Sequence, residues 1–256
     1  MKDDMVNDIS ALDLTDRVTV DDPNDFQSCV HLKKSTAARI CVGKAGTRLK
    51  TETYLRFRAD HAVAMDAVWS EVDEDVIDQM GFYKVQSLCK NKDEYITRPD
   101  LGRRFSEETL EAIRTNCRHN IDVQIIAGDG LSSPAITKNL PDIYPMIIDG
   151  LKEKGYTVGD PIYVKFARVA TMDRISEALD AKITIILIGE RPGLATGESL
   201  SAYMAYESST KKPESQRTVV SNIHKNGMPP VEAGAQIITI VDAMMEAKTS
   251  GIDLKL

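Results

Sequence analysis

Three short runs, DVQIIA (122–127), PIYVKF (161–166) and ITIILI (183–188), are rich in β-branched and aliphatic residues, and each is followed by glycine or by Ala-Arg. Helix-length segments, 136–154 and 172–180, separate them. A last one, 231–248, gathers Ile237, Ile238, Val241, Met244 and Met245 on a broad apolar side. Segments 202–207 and 218–223 read as weaker strands. Strands alternating with helices predict an α/β protein: an open, mostly parallel, Rossmann-like sheet flanked by helices on both faces, preceded by a helical N-terminal region. The expected organisation is an acidic leader over residues 1–28, a mainly helical region over 29–110 and the α/β domain over 111–256. The leader carries many aspartates and little material for a core, so it is expected to be flexible or docked on a partner.

Composition narrows the function. The 256 residues are 42% hydrophobic and 28% charged, with a net charge of -7, which suits one large or two small soluble domains and gives no nucleic-acid footprint. No apolar run approaches a membrane span, and MKDDMVNDIS lacks the apolar core of a signal peptide, so the expected location is cytoplasmic. Cys29, Cys41, Cys89 and Cys117 contain no C-x-x-C pair and read as reduced thiols, not as a metal site or a disulfide framework.

Residues 51–72 predict a helix, because Tyr54, Phe57, His61, Ala64 and Val68 follow a 3,4,3,4 spacing that lines them up on one face. His61 then sits in an apolar stripe, where a hydrogen-bonded core histidine is expected. In YITRPDLGRR (95–104), Pro99 disfavours helical geometry at Arg98, Asp100 can cap the helix that follows, and Gly102 relaxes the backbone. Arg98, Arg103 and Arg104 read either as a solvated basic turn or as a subunit contact able to hold a phosphate or carboxylates.

Ligands of open α/β sheets bind beyond the carboxyl ends of the strands. That rule selects three loops: 128–133 (GDGLSS), 167–169 (ARV) and 189–193 (GERPG). Free N–H groups there, with Glu190 as acceptor and Arg191 as donor, suit a large, polar-edged ligand; Glu190 could equally be a turn residue paired with Arg191. Standard ligands fit badly. No G-x-G-x-x-G follows a strand, GKAGTR (43–48) lacks the spacing and ending of a P-loop, and no G-x-S-x-G elbow exists. The residues alone therefore indicate an α/β binding protein.

Longer motifs go further. VGKAGTRLKTETYLRFRADHAVAMDAV, YITRPDLGRR, GDGLSSPAI, IGERPGLATGESLSAYMAY and RTVVSNIHKNGMPPVEA together resemble the ethanolamine ammonia-lyase small-subunit family, from about residue 36 to the C-terminus. The resemblance implies a hetero-oligomeric, adenosylcobalamin-dependent lyase that converts ethanolamine to acetaldehyde and ammonia. It also implies that the substrate pocket lies in the large subunit and the corrinoid between the two subunits. Cobalamin contacts are implied at Val169 in ARV, Glu190 in GERPG and Val219 in RTVVSN. Many relatives have cysteine at the position of Val219, a tolerance that suits a contact made by backbone.

In this division the cofactor supplies the radical chemistry. The present chain binds and orients it and excludes water; no catalytic residue is assigned, and the isolated chain is expected to be inactive. A surface near His61 and residues 98–104 is expected to meet the large subunit. The family is often housed in a bacterial microcompartment, and that location rests on the resemblance, since the N-terminus contains no evident encapsulation helix. Two other classes remain open, a stand-alone α/β enzyme acting on a nucleotide-like substrate and a non-catalytic scaffold module.

The segment NIHKNG (222–227) nearly matches D-x-H-x-x-G, through which some cobalamin domains supply a histidine to cobalt. Asn222 carries no charge to raise the basicity of the imidazole, and only one helix and a short tail follow Gly227. The expectation is a base-on cofactor, with dimethylbenzimidazole as the lower ligand and His224 packed or hydrogen-bonded within its loop.

Overall fold

The computed structural model describes residues 8–14 and 16–255; of the acidic leader, residues 1–7 and 15 lie outside the described residues. The chain forms two compact units, one running up to Asp66 and including Gly193–Thr196, the other made of Ala67–Pro192 and Gly197 onward. In the first, α1 (Phe26–Lys34) begins where the Asp25 carboxylate accepts from the Ser28 N–H, 2.9 Å. Strands β1 (Lys44–Ala45) and β2 (Arg48–Leu49) pair as a small hairpin around Gly46, whose φ of +62° suits glycine. GKAGTR is therefore a turn.

Helix α2 (Thr51–Trp69) forms where expected, but its buried positions are Thr53, Asp60 and Ala67, one residue round from Tyr54, His61 and Val68. His61 is exposed and is not a core histidine. The reason is that apolar residues surround this helix, with Leu55, Val63, Met65 and Trp69 all exposed, so they single out no face. Ion pairs hold the Asp60 side inward instead. Asp60 is 8% exposed and receives Arg39 and Arg56, each at 2.7 Å.

The second unit contains α3 (Glu74–Gln79), β3 (Tyr83–Gln86), α4 (Lys92–Thr97), α5 (Glu107–Asn116), β4 (Val123–Gly128), α6 (Ser133–Glu153) and β5 (Ile162–Lys165). It continues through α7 (Thr171–Leu179), β6 (Ile183–Gly189), β7 (Leu200–Tyr206), β8 (Thr218–Ile223) and α8 (Pro230–Ala247). These strands make one six-stranded sheet in the order β3-β5-β4-β6-β7-β8. The first four run parallel, and β7 and β8 are antiparallel. The α/β class and the mostly parallel sheet flanked by helices are thus as expected.

Alternation along the strands divides the core in two. Val123, Ile125 and Ala127 of β4 face α6 and α8 with Ile183, Ile185, Leu187, Leu200, Ala202 and Met204. Ile126, Val164, Ile186 and Ile188 face α5 and α7. Helix α6 carries Pro141 and Pro145 in its interior, each removing a hydrogen bond at a cost of about 3 kcal/mol. It persists because Ile136, Leu140, Ile143, Ile147 and Leu151 are all fully buried, at about 1.5–3 kcal/mol each.

Candidate functional site

On the α5/α7 face, helix cover thins out across β7, where Ala205 is still buried with residues of α5 and α7 and Tyr203 is half-buried. Beside α7, a cleft of about 280 Å³ lies over β7 and β8, lined by Arg103, Arg168, Val169, Ala170, Tyr203, Glu214, Arg217 and Val219. Two of the three residues singled out in the sequence, Val169 and Val219, meet here although 50 positions separate them. Val219 stands opposite Tyr203 in the β7–β8 register, and opposite residues of an antiparallel pair share a face.

Glu190 is brought to the same place indirectly. The Tyr203 hydroxyl donates to its Oε1 at 3.0 Å, and burial, with the Glu190 charge adding to it, pushes the phenol up to about 12. Arg191 is exposed and makes no ion pair among the described residues, so Glu190 is not held by its neighbour. Sequence reasoning missed Tyr203. Its signal was the alternation of SAYMAY, in which Ser201, Tyr203 and Ala205 share a face.

The rim carrying Val169 is braced from below. Arg168 donates from its main chain to Gly102 O (2.9 Å) and from Nη2 to Tyr95 O (2.9 Å), and its guanidinium lies 4.3 Å over the Tyr95 ring. Tyr95, fully buried, donates its hydroxyl to Ala167 O at 2.9 Å. A side chain at position 102 would strike Arg168 Cγ at 2.9 Å, which explains the glycine in DLGRR. The three arginines of that motif separate. Arg98 clasps Asp100 through two bonds of 2.9 and 2.8 Å, holding that carboxyl below its usual range, while Arg103 reaches the cleft. Asp100 consequently makes no side-chain cap to the short 3-10 helix after it; its oxygens are engaged by Arg98.

Opposite this rim, Arg217 is tied down by Asp173 at 2.8 Å and Glu214 at 3.4 Å. Burial raises the Asp173 carboxyl against the opposing pull of Ser208 and Arg217. The loop 128–133 does not line the cleft. Asp129, Ser132 and Ser133 are buried, and Asp129 sits 3.9 Å from the buried Lys92 ammonium, which burial pushes down from its ordinary value. Gly130 and Gly189 seat the loops after β4 and β6 against each other. The Leu131 N–H donates to Gly189 O at 3.0 Å, and a methyl on Gly189 would overlap the Ser132 backbone.

His224 lies in the loop after β8, away from the cleft lining. Its Nε2 faces Asn222 Oδ1 at 2.9 Å and its Nδ1 accepts from the Asn226 N–H at 3.3 Å. Both ring nitrogens are engaged within the loop. Among the described residues, no cluster of three or more His, Cys, Asp or Glu could hold a metal ion, and no helix is long and apolar enough to cross a membrane.

Comparison with known proteins adds an independent finding. Residues 27–255 match the family described as Ethanolamine ammonia-lyase light chain (EutC). The chain is 70% identical over 225 residues to the ethanolamine ammonia-lyase small subunit of Clostridium acetobutylicum, covering 88% of this chain and 93% of that one. It is 52% identical over 255 residues to that of Clostridium tetani, covering 100% and 86%. With that of Listeria monocytogenes it shares 50% over 250 residues, covering 98% and 85%.

Proposed function

The chain belongs to the ethanolamine ammonia-lyase light-chain family, and on that premise we propose that it binds and orients adenosylcobalamin against a large catalytic subunit. The observation that carries the reading is convergence: Val169, Val219 and, through Tyr203, Glu190 come from separate segments to one cleft. The lining suits a corrinoid. Val169, Ala170, Val219 and the Tyr203 ring offer an apolar floor for a flat macrocycle, and Arg103 and Glu214, with the Tyr203 hydroxyl that Glu190 holds, offer polar groups to its amide-bearing rim. Pockets for drug-sized ligands measure about 300–1,000 Å³, so a cleft of about 280 Å³ covers only part of so large a cofactor. The remainder must be enclosed by a partner.

When bound, the cofactor supplies the radical chemistry of the lyase. The residues of this chain provide a fixed seat and exclude water from one side. Both nitrogens of His224 are already engaged, so that loop would offer no histidine to cobalt, which supports the reading of a base-on cofactor that would keep its own dimethylbenzimidazole. Leu55, Val63 and Met65, exposed on α2 together with His61, offer apolar groups for the large subunit to cover. The complex works in the cytoplasm, within a bacterial microcompartment where the host builds one.

Co-expression with a large subunit of the family tests the reading. The complex should bind adenosylcobalamin and release acetaldehyde from ethanolamine only when the cofactor is present, and the isolated chain should do neither chemical step. Turnover by the isolated chain, or a complex indifferent to the cofactor, would refute it.

A further inference from the structure

Tyr203 and Glu190 form a hydrogen-bonding unit of one sign. A phenol has one proton and two lone pairs, and a carboxylate has lone pairs only. The single proton is committed to Glu190 Oε1 at 3.0 Å. What remains, the Tyr203 oxygen in the cleft lining and Oε2 of the half-buried Glu190 bonded to it, is acceptor throughout, since no other group among the described residues donates to that carboxylate. The raised phenol keeps its proton across the physiological range, so the polarity does not reverse with pH. Tyr203 lines the cleft directly.

We infer that the Tyr203–Glu190 pair is a specificity-determining contact that accepts a hydrogen bond from a neutral primary amide on the corrin rim and rejects a carboxylate at the same position. The inference rests on the reading that the cleft takes cobalamin, and it adds which group of the ligand is recognised and by what polarity. A primary amide brings two N–H donors to the two free acceptors. A carboxylate brings none, and sets its charge beside that of Glu190 in a partly buried site, where the repulsion is poorly screened.

The test uses complexes with the large subunit carrying the wild-type chain, Glu190→Gln, Tyr203→Phe or both changes. Each is titrated with adenosylcobalamin and with derivatives in which single rim amides are hydrolysed to carboxylates. One derivative should bind the wild-type complex on the order of ten- to hundred-fold more weakly than the parent, the range expected for a hydrogen bond to a charged group. Glu190→Gln should narrow that gap, because glutamine removes the repelling charge and can donate. Tyr203→Phe should weaken the parent several-fold, and the double variant should lose no more than the worse single one, as coupled partners do. Should Tyr203→Phe fail to assemble, the derivative series on the wild-type and Glu190→Gln complexes still decides. All derivatives binding within about two-fold of the parent, or a gap that Glu190→Gln leaves unchanged, overturns the inference while leaving the cobalamin reading intact. A wild-type complex that does not bind the parent overturns both.

Discussion

On the side of the sheet packed by α6 and α8, Leu200, Ala202 and Met204 of β7 are fully buried and Val220 of β8 is 4% exposed. On the opposite side of the same two strands, Ala205 of β7 is still buried in the cluster of α5 and α7, but Val219 of β8 is 43% exposed. The contrast follows from strand direction. A parallel neighbour requires a crossover of a dozen or more residues, usually a helix, which then covers a face. The antiparallel strands β7 and β8 join the sheet without adding a helix on the α7 side. The sheet therefore outgrows its helical roof, and the part left uncovered is where the cleft lies. It also explains why the cleft lies on the face of the sheet, when a wholly parallel sheet would put it beyond the strand ends.

Cutting into the closed side should have the largest effect. Ile143→Ala, in the fully buried stripe of α6, should cost about 2–5 kcal/mol of stability in chemical denaturation, with corrinoid affinity of the surviving folded complex unchanged. On the open side the order reverses. Glu190→Ala should weaken adenosylcobalamin binding by about 1.5–3 kcal/mol in a titration and shift stability by no more than about 0.5 kcal/mol. An equal loss of stability would mean that the open face is structural after all.

Asp122, at the amino end of β4, should sit between these extremes. Burial raises its carboxyl, but Lys182 at 2.8 Å and Thr157 together outweigh that and hold it below the usual carboxylate range. A depressed folded pKa gives stability that is present above the unfolded value and lost as pH falls through the folded one. Asp122→Asn should cost about 1 kcal/mol at neutral pH and flatten the acid limb of the stability profile; an acid limb identical to wild type would remove Asp122 from the account. The smallest effect belongs to Val219→Cys. If the contact there is made by backbone, both affinity and stability should stay within about 0.5 kcal/mol, and a larger change in affinity would assign the contact to the side chain.

The strands β4, β5, β6 and β8 were legible within about a residue or two because their β-branched runs end at turn residues, and α6, α7 and α8 because their apolar periodicity is strong. Strand β3 was not. Tyr83–Gln86 is four residues long and only half-buried on alternate positions, and its place beside β5 depends on pairing across some eighty residues. The inward face of α2 was misread because a buried aspartate with two arginine partners leaves no hydrophobic trace. The cleft was half legible. Glu190 and Val219 lie in long family motifs and Val169 in the short ARV; Tyr203 lies in the same motif as Glu190, but the face it presents is set by strand register, and its bond to Glu190 by the return of the chain after β6.

The interlocked glycines beneath Glu190 bear on how a ligand would be received. A loop bearing a binding carboxylate ordinarily surrenders conformational freedom when its ligand arrives, and that entropy is subtracted from affinity. Here the backbone at Gly189 is already wedged against the chain around Gly130 and Ser132, Glu190 N–H is already bonded to Ser199 O at 3.0 Å, and its side chain is already oriented by Tyr203. The freedom is spent during folding. The acceptor would therefore meet a ligand preorganised, and a substitution that loosened position 189 should be felt as weaker binding even with every contacting side chain in place.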